Sequence, residues 1–191
     1  MITDRPPRKS ELKDEYARSE QMAISQLPPP EPLRQLSREL EAAMRQEDRR
    51  EIERICNEIA ASVAAAFAVK APKVKVLGVR PLDEVGARID ETFGDYTFKT
   101  AQIRLWMRTA VLEKMTSFGT LLSTLCHEIC HHLDVVYFGL ENTYHTRGFY
   151  DRAGLLYHHV RGTPVKPLVW DKQTDGTHRI NWPKTMRGGR G

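Results

Sequence analysis

Apolar residues recur along this chain with two different periods, and the changes of period divide it. Leu33, Leu36, Leu40 and Ala43 fall on one face of a helix over 33–46. Asp48, with Glu51 three positions on, has the form of a capping box. Ile52, Ile55, Ile59, Val63 and Phe67 then continue at helical spacing and stop before Pro72. Residues 45–51 have almost no apolar face, so the pattern is compatible with one long helix or with two. Basic and apolar residues alternate over 73–79 (Lys73, Val74, Lys75, Val76), which is the period of a strand. Residues 81–86 read as a turn, 88–93 as a second strand and 96–107 as one or two more, with the strongest signal at 102–107. Alternation puts Ile103, Leu105 and Met107 on one face of that strand and Gln102, Arg104 and Trp106 on the other. Helical spacing returns at Leu121, Leu122, Leu125, Ile129, Leu133 and Val136, behind Thr116 or Ser117 as the capping residue. Residues 139–143 form a loop and 146–160 a last helix. This order of elements predicts the α+β class, with a small, mostly antiparallel sheet and additional N-terminal helices.

The ends of the chain lack either period. Residues 1–32 read as a disordered, Pro-rich tail, because they are polar and finish in Pro28, Pro29, Pro30, Glu31 and Pro32, which favour extended backbone. Gly162, Pro164 and Pro167 break the last helix, and 185–191 reads as disordered. The organisation predicted is a tail over 1–32, a single domain over 33–170 (helices 33–70, core 73–160) and a basic C-terminal tail over 171–191. The length of 191 residues fits one such domain.

Charge and cysteine content narrow the classes. The net charge of +4 is matched by residues 162–191 alone, which hold six basic residues (Lys166, Lys172, Arg179, Lys184, Arg187, Arg190) and two acidic ones (Asp171, Asp175). That segment is a candidate for contact with nucleic acid through phosphates, with Trp170 and Trp182 as stacking platforms. A solvated extension whose tryptophans pack on the domain is the plainer reading. Three cysteines (Cys56, Cys126, Cys130) form no disulfide framework, which points to a reducing, cytoplasmic setting. No apolar run approaches the ~20 residues of a membrane span, and the first residues hold no apolar signal region, so no membrane association is expected.

One segment carries chemistry. His127, Glu128, Ile129, Cys130 and His131 form an H-E-x-x-H sequence inside the helix expected over 121–136. Residues four apart on a helix are neighbours, so His127 and His131 are placed to bind one Zn²⁺. Glu128 is rotated by about 100° from His127, too far for an easy ligand but suitable as general base toward a zinc-activated water. A catalytic zinc needs a third protein ligand. Asp134 lies on the same rigid helix, and His158 and His159 read as surface histidines on the last helix. His145 follows a loop that allows the chain to turn back, and Glu141 is its rival. His132 points off the ligand face, toward a supporting or surface role. Cys126 and Cys130 also face about 100° away and read, like Cys56, as buried thiols of the core.

The stretch Thr124-Leu125-Cys126-His127-Glu128-Ile129-Cys130-His131-His132-Leu133-Asp134, followed by His145-Thr146-Arg147-Gly148-Phe149, resembles the SprT-like (Spartan-type) zincin metallopeptidases. The resemblance covers roughly 73–160. It implies a zincin-like fold, peptide-bond hydrolysis with zinc, His127, His131 and His145 as the zinc ligands, and an edge strand before the active helix, which 102–107 would supply. Protein or peptide substrates follow from it, bound by backbone pairing to that strand. There is no cysteine-pair zinc ribbon after the catalytic region, and the first 70 residues match nothing in the family. A repressor-cleaving regulatory peptidase of the same clan is one alternative. Another is a non-catalytic zinc module for nucleic acid or protein, with a closed site that adds Glu141 or a cysteine. The last is an α+β interaction domain without metal.

Overall fold

The computed structural model describes residues 1–80 and 93–188, so the turn expected at 81–86 and nearly all of the strand expected at 88–93 lie outside the described residues. The fold is mixed α+β. The elements run α1 (Ser10–Gln21), α2 (Pro30–Arg45), α3 (Arg49–Ala66), β1 (Lys73–Val79), β2 (Gly94–Thr97), β3 (Gln102–Arg108), α4 (Phe118–Val136), α5 (Arg147–Arg161), β4 (Trp170–Lys172), β5 (His178–Ile180) and α6 (Trp182–Met186).

The N-terminal helices are two, not one. Glu47 takes a positive φ of 55°, which ends α2, and the Asp48 carboxylate accepts hydrogen bonds from the main-chain N–H groups of Arg50 and Glu51 to start α3. The apolar stripe of α3 is fully sealed: Ile52, Ile55, Ile59 and Val63 have no exposed surface. They join one core with Leu33, Leu40, Val74, Val76, Ile103, Leu105 and the inner face of α4. At about 0.8 kcal/mol per buried methylene, this shared core is the main force holding α4 in place.

The sheet order is β1-β3-β2. β2 and β3 are joined by a tight 3₁₀ turn at Phe98–Thr100, which makes them antiparallel, and β1 lies parallel to β3 on its other side. The sheet is therefore evenly mixed, where a mostly antiparallel one was expected. The strand over 102–107 is not an edge strand either. It is the centre, with neighbours on both sides, because the hairpin supplies one partner and β1 the other. Its expected facing holds for Ile103, Leu105 and Met107, all buried, while Trp106 on the opposite face is also buried. The first half of the outer edge of β1 is covered by side chains of α3. Asn57 accepts from Val74 N–H at 2.9 Å and donates to the Val74 carbonyl at 2.8 Å, and Glu53 accepts from Val76 N–H at 2.9 Å. Among the described residues, β2 is the other edge of this sheet, with no strand partner on its outer side, and it lies against α4.

Both ends of the chain differ from the tails expected. Residues 1–32 contain α1 and the first turn of α2, and α1 docks on α5. Its contacts are polar, which is why hydrophobic periodicity misses them. Glu15 accepts from the main chain and side chain of Asn142, both at 2.7 Å; Ser19 bonds Thr146 Oγ1 at 3.0 Å; Glu20 pairs with Arg147. Gly148 makes the approach possible, since a Cβ there would sit 2.5 Å from the carbonyl oxygens of Ser19 and Glu20. Behind this contact Arg152, almost fully buried, holds Asp134 through both carboxylate oxygens and donates to the carbonyls of Ser19 and Met22. At the other end, β4 and β5 form a hairpin closed at Asp175-Gly176, where Gly176 has a φ of 86° and Asp175 accepts from Thr177. Asp-Gly is a turn signal that the reading of 171–191 as a tail overlooked. Thr185, expected to be disordered, is buried in α6 and accepts from Val169 N–H.

Candidate metal centre

α4 starts where Ser117 accepts from Thr120 N–H at 3.1 Å, the second of the two capping residues expected. Leu121, Leu122, Leu125, Ile129 and Leu133 anchor it in the core, so His127 and His131 project from a rigid element on one face. After α4 the chain reverses at Gly139 (φ 63°) and reaches His145 just before Thr146, which caps α5 by accepting from Phe149 N–H at 3.0 Å. The cap fixes the residue that precedes it.

The result is a cluster of three imidazoles. The Nε2 atoms of His127, His131 and His145 are each 3.1 Å from the other two. Nitrogens at that separation are close enough together for one ion at ~2.0–2.1 Å to be held by all three. Hydrogen bonding alone does not explain the arrangement, since a ring N–H aimed at the middle of a triangle serves neither neighbour well. Burial, and then His145, pushes the His127 pKa down to about 3; burial and the neighbouring histidines push that of His131 well below its usual value. Both rings are therefore neutral, as metal ligation requires. Three histidines lie close enough to bind a metal ion, and the donor set fits one. Phe149, without exposed surface, is the common seat: its ring centroid is 4.8, 4.6 and 5.1 Å from those of His127, His131 and His145.

Glu128 is buried on the same helix turn. Burial, with Asp95 nearby, pushes its carboxyl up to about 8. His132 bridges two other elements. The Lys70 carbonyl can only accept, so His132 Nε2 carries the proton at 2.8 Å, and Nδ1 accepts from Tyr96 of β2 at 2.8 Å. This ties β2 and the segment before β1 to the helix bearing the histidine pair.

Several other candidates stand elsewhere. Glu141 is exposed and outside the histidine cluster. Cys126 and Cys130 are buried in the core and also outside it, and burial raises both thiol pKa values. Cys56 is likewise a core thiol, raised to about 12 by burial. His158 bonds Thr163 and His159 the Pro28 carbonyl. Asp134 is taken by Arg152, and Tyr144 and Arg147 turn to Tyr16 and Glu20 of α1. Sequence reasoning missed Asp4, whose carboxylate Oδ2 accepts from His145 N–H at 2.8 Å and lies 3.3 Å from His145 Nδ1. No periodic or spacing signal in 1–32 points to it. It also missed Trp170 as a neighbour of the site: its ring lies 5.6 Å from that of Tyr150, which stacks beside His145.

No family model, no curated protein and no solved structure matches this chain.

Proposed function

We propose that the chain is a zinc-dependent metallopeptidase of zincin-like fold, with His127, His131 and His145 as metal ligands and Glu128 as general base. The convergence of three Nε2 atoms at 3.1 Å beside a buried glutamate is the observation that carries this reading. A donor set of three imidazoles suits zinc in a catalytic setting, where a structural site would be closed by a fourth protein ligand. Among the described residues no fourth histidine, cysteine or carboxylate joins the cluster, which favours catalysis over a closed binding module. The His145 to Phe149 spacing supports the SprT-like resemblance, because Phe149 seats all three ligand rings.

When bound, zinc supplies Lewis-acid polarisation of a substrate carbonyl and lowers the pKa of water. Beside a bound cation the Glu128 carboxyl would ionise despite its burial, and as a carboxylate it takes one proton of the attacking water and returns it to the amine leaving group as the peptide bond breaks. Its burial keeps bulk water from competing for that proton. An extended peptide or protein segment would align along the outer side of β2, the sheet edge beside α4 among the described residues.

Metal analysis of the purified chain should find one equivalent of zinc. Glu128→Gln should retain that zinc and the fold while peptide cleavage falls by at least about 10²-fold. Undiminished cleavage by that variant would overturn the assignment of Glu128, and absence of bound metal would overturn the site.

A further inference from the structure

We propose that Asp4 is a positioning residue for the third ligand: its carboxylate fixes the His145 ring from the side opposite the metal, which makes the N-terminal segment part of the metal centre. The inference rests on the zinc reading above. Asp4 and His145 are joined three times. Asp4 N–H donates to the His145 carbonyl at 2.9 Å, His145 N–H donates to Asp4 Oδ2 at 2.8 Å, and the same oxygen lies 3.3 Å from His145 Nδ1. Once Nε2 holds a metal, the remaining ring proton of His145 is on Nδ1, facing this carboxylate. A carboxylate there sets the ring's orientation and raises its basicity as a ligand. Asp4 is not itself a ligand, because Nδ1 and Nε2 lie on opposite sides of the imidazole and Asp4 stands outside the donor cluster.

His145 differs from the other two histidines in what fixes its position. His127 and His131 are fixed by a shared turn of α4, whereas His145 sits in a connection between helices. Asp4 is delivered to it by contacts that do not involve its own carboxylate. Thr3 N–H donates to the His178 carbonyl at 2.8 Å and Thr3 Oγ1 accepts from His178 N–H at 2.8 Å, so the segment pairs with β5. Tyr150 donates to the Ile2 carbonyl and Tyr16 to the Asp4 carbonyl, both at 3.0 Å. The terminal hairpin, α1 and α5 thus converge on one aspartate.

The test uses the full chain with Asp4→Ala, the nearly isosteric Asp4→Asn, and Thr3→Ala as a control that removes a strap contact but leaves the carboxylate. Zn²⁺ affinity is measured by competition with a chromophoric chelator, ligand geometry by the visible absorption of the Co²⁺-loaded protein, and folding by the melting temperature of the metal-free form. Asp4→Ala should weaken Zn²⁺ binding by about 10–100-fold. Asp4→Asn, which keeps an acceptor for His145 N–H, should lose less, melt close to wild type without metal, and still shift the Co²⁺ band. Thr3→Ala should bind nearly as wild type. Wild-type affinity and an unchanged Co²⁺ band in both Asp4 variants would overturn the inference. So would a loss in Thr3→Ala equal to that in Asp4→Ala, because the strap rather than the carboxylate would then be responsible. Failure of the wild type to bind Zn²⁺ would instead overturn the site reading on which the inference rests.

Discussion

The three histidines reach the same point by different physics. His127 and His131 stand on a helix held by its own apolar face, in which five leucine and isoleucine side chains are almost completely buried. His145 stands on a connection held by polar contacts with residues far away in sequence: Asp4, Glu15, Ser19 and Glu20. Burial of apolar area is non-directional and tolerates small shifts, while hydrogen bonds fix angles as well as distances. The helix pair is thus anchored by the general core, and the third histidine by a dedicated set of partners. The two halves of the centre should fail in different ways.

On the zinc reading, the largest effect expected is from removing the ion or one of the helix-borne histidines. His131→Ala should abolish stoichiometric zinc binding, as read by metal analysis after dialysis. Chelation of the wild type should lower its melting temperature, since an ion present at 1,000 times its Kd contributes about 4 kcal/mol. Next is Phe149→Ala, which removes the seat of all three rings and leaves a cavity. A loss of about 3–5 kcal/mol in denaturant unfolding is expected, along with weaker zinc binding. If zinc affinity were untouched, the seat would matter to the core alone, and the contrast between the two halves would sharpen.

Smaller effects should separate the polar half from the helix. Gly148→Ala puts a methyl group against two carbonyl oxygens of α1 and should cost about 1–3 kcal/mol. Limited proteolysis should then cut first around α1, leaving α4 protected. Protection of α1 equal to wild type would break the proposed division of labour. Thr146→Ala removes the α5 cap and the bond to Ser19, and should cost about 1 kcal/mol in thermal unfolding.

The same contrast decides what was legible in the sequence. α3, α4 and α5 are readable because each carries an apolar stripe at helical spacing, although α4 also buries Asp134 and α5 Arg152, and the histidine pair on α4 is readable from its own four-residue spacing. α1 buries Ser19 and half-buries Glu15, Tyr16 and Glu20, so its docking face looks like solvated surface to any hydrophobic pattern. The position of β3 was also out of reach. Alternation reports which faces a strand has, but not its neighbours, and the pairing with β1 depends on where α3 packs. The choice of His145 over Glu141 was carried by family resemblance, and the structure puts His145 into the cluster through the cap at Thr146. The Asp-Gly turn of the terminal hairpin was present in the sequence, but the basic charge around it drew the reading toward a tail.

The covered stretch of the β1 edge has a bearing on how copies of this chain meet one another. A strand with bare backbone groups on its flank invites the same strand of another molecule, and a row of such encounters becomes a fibre. Asn57 and Glu53 occupy those groups from within the same chain, so a visiting strand would have to displace side chains that are themselves rooted in a buried helix. Growth by sheet extension is hindered along residues 74–76 of that flank. Crowded solutions of the protein gain colloidal safety there from two side chains that a count of core contacts would pass over.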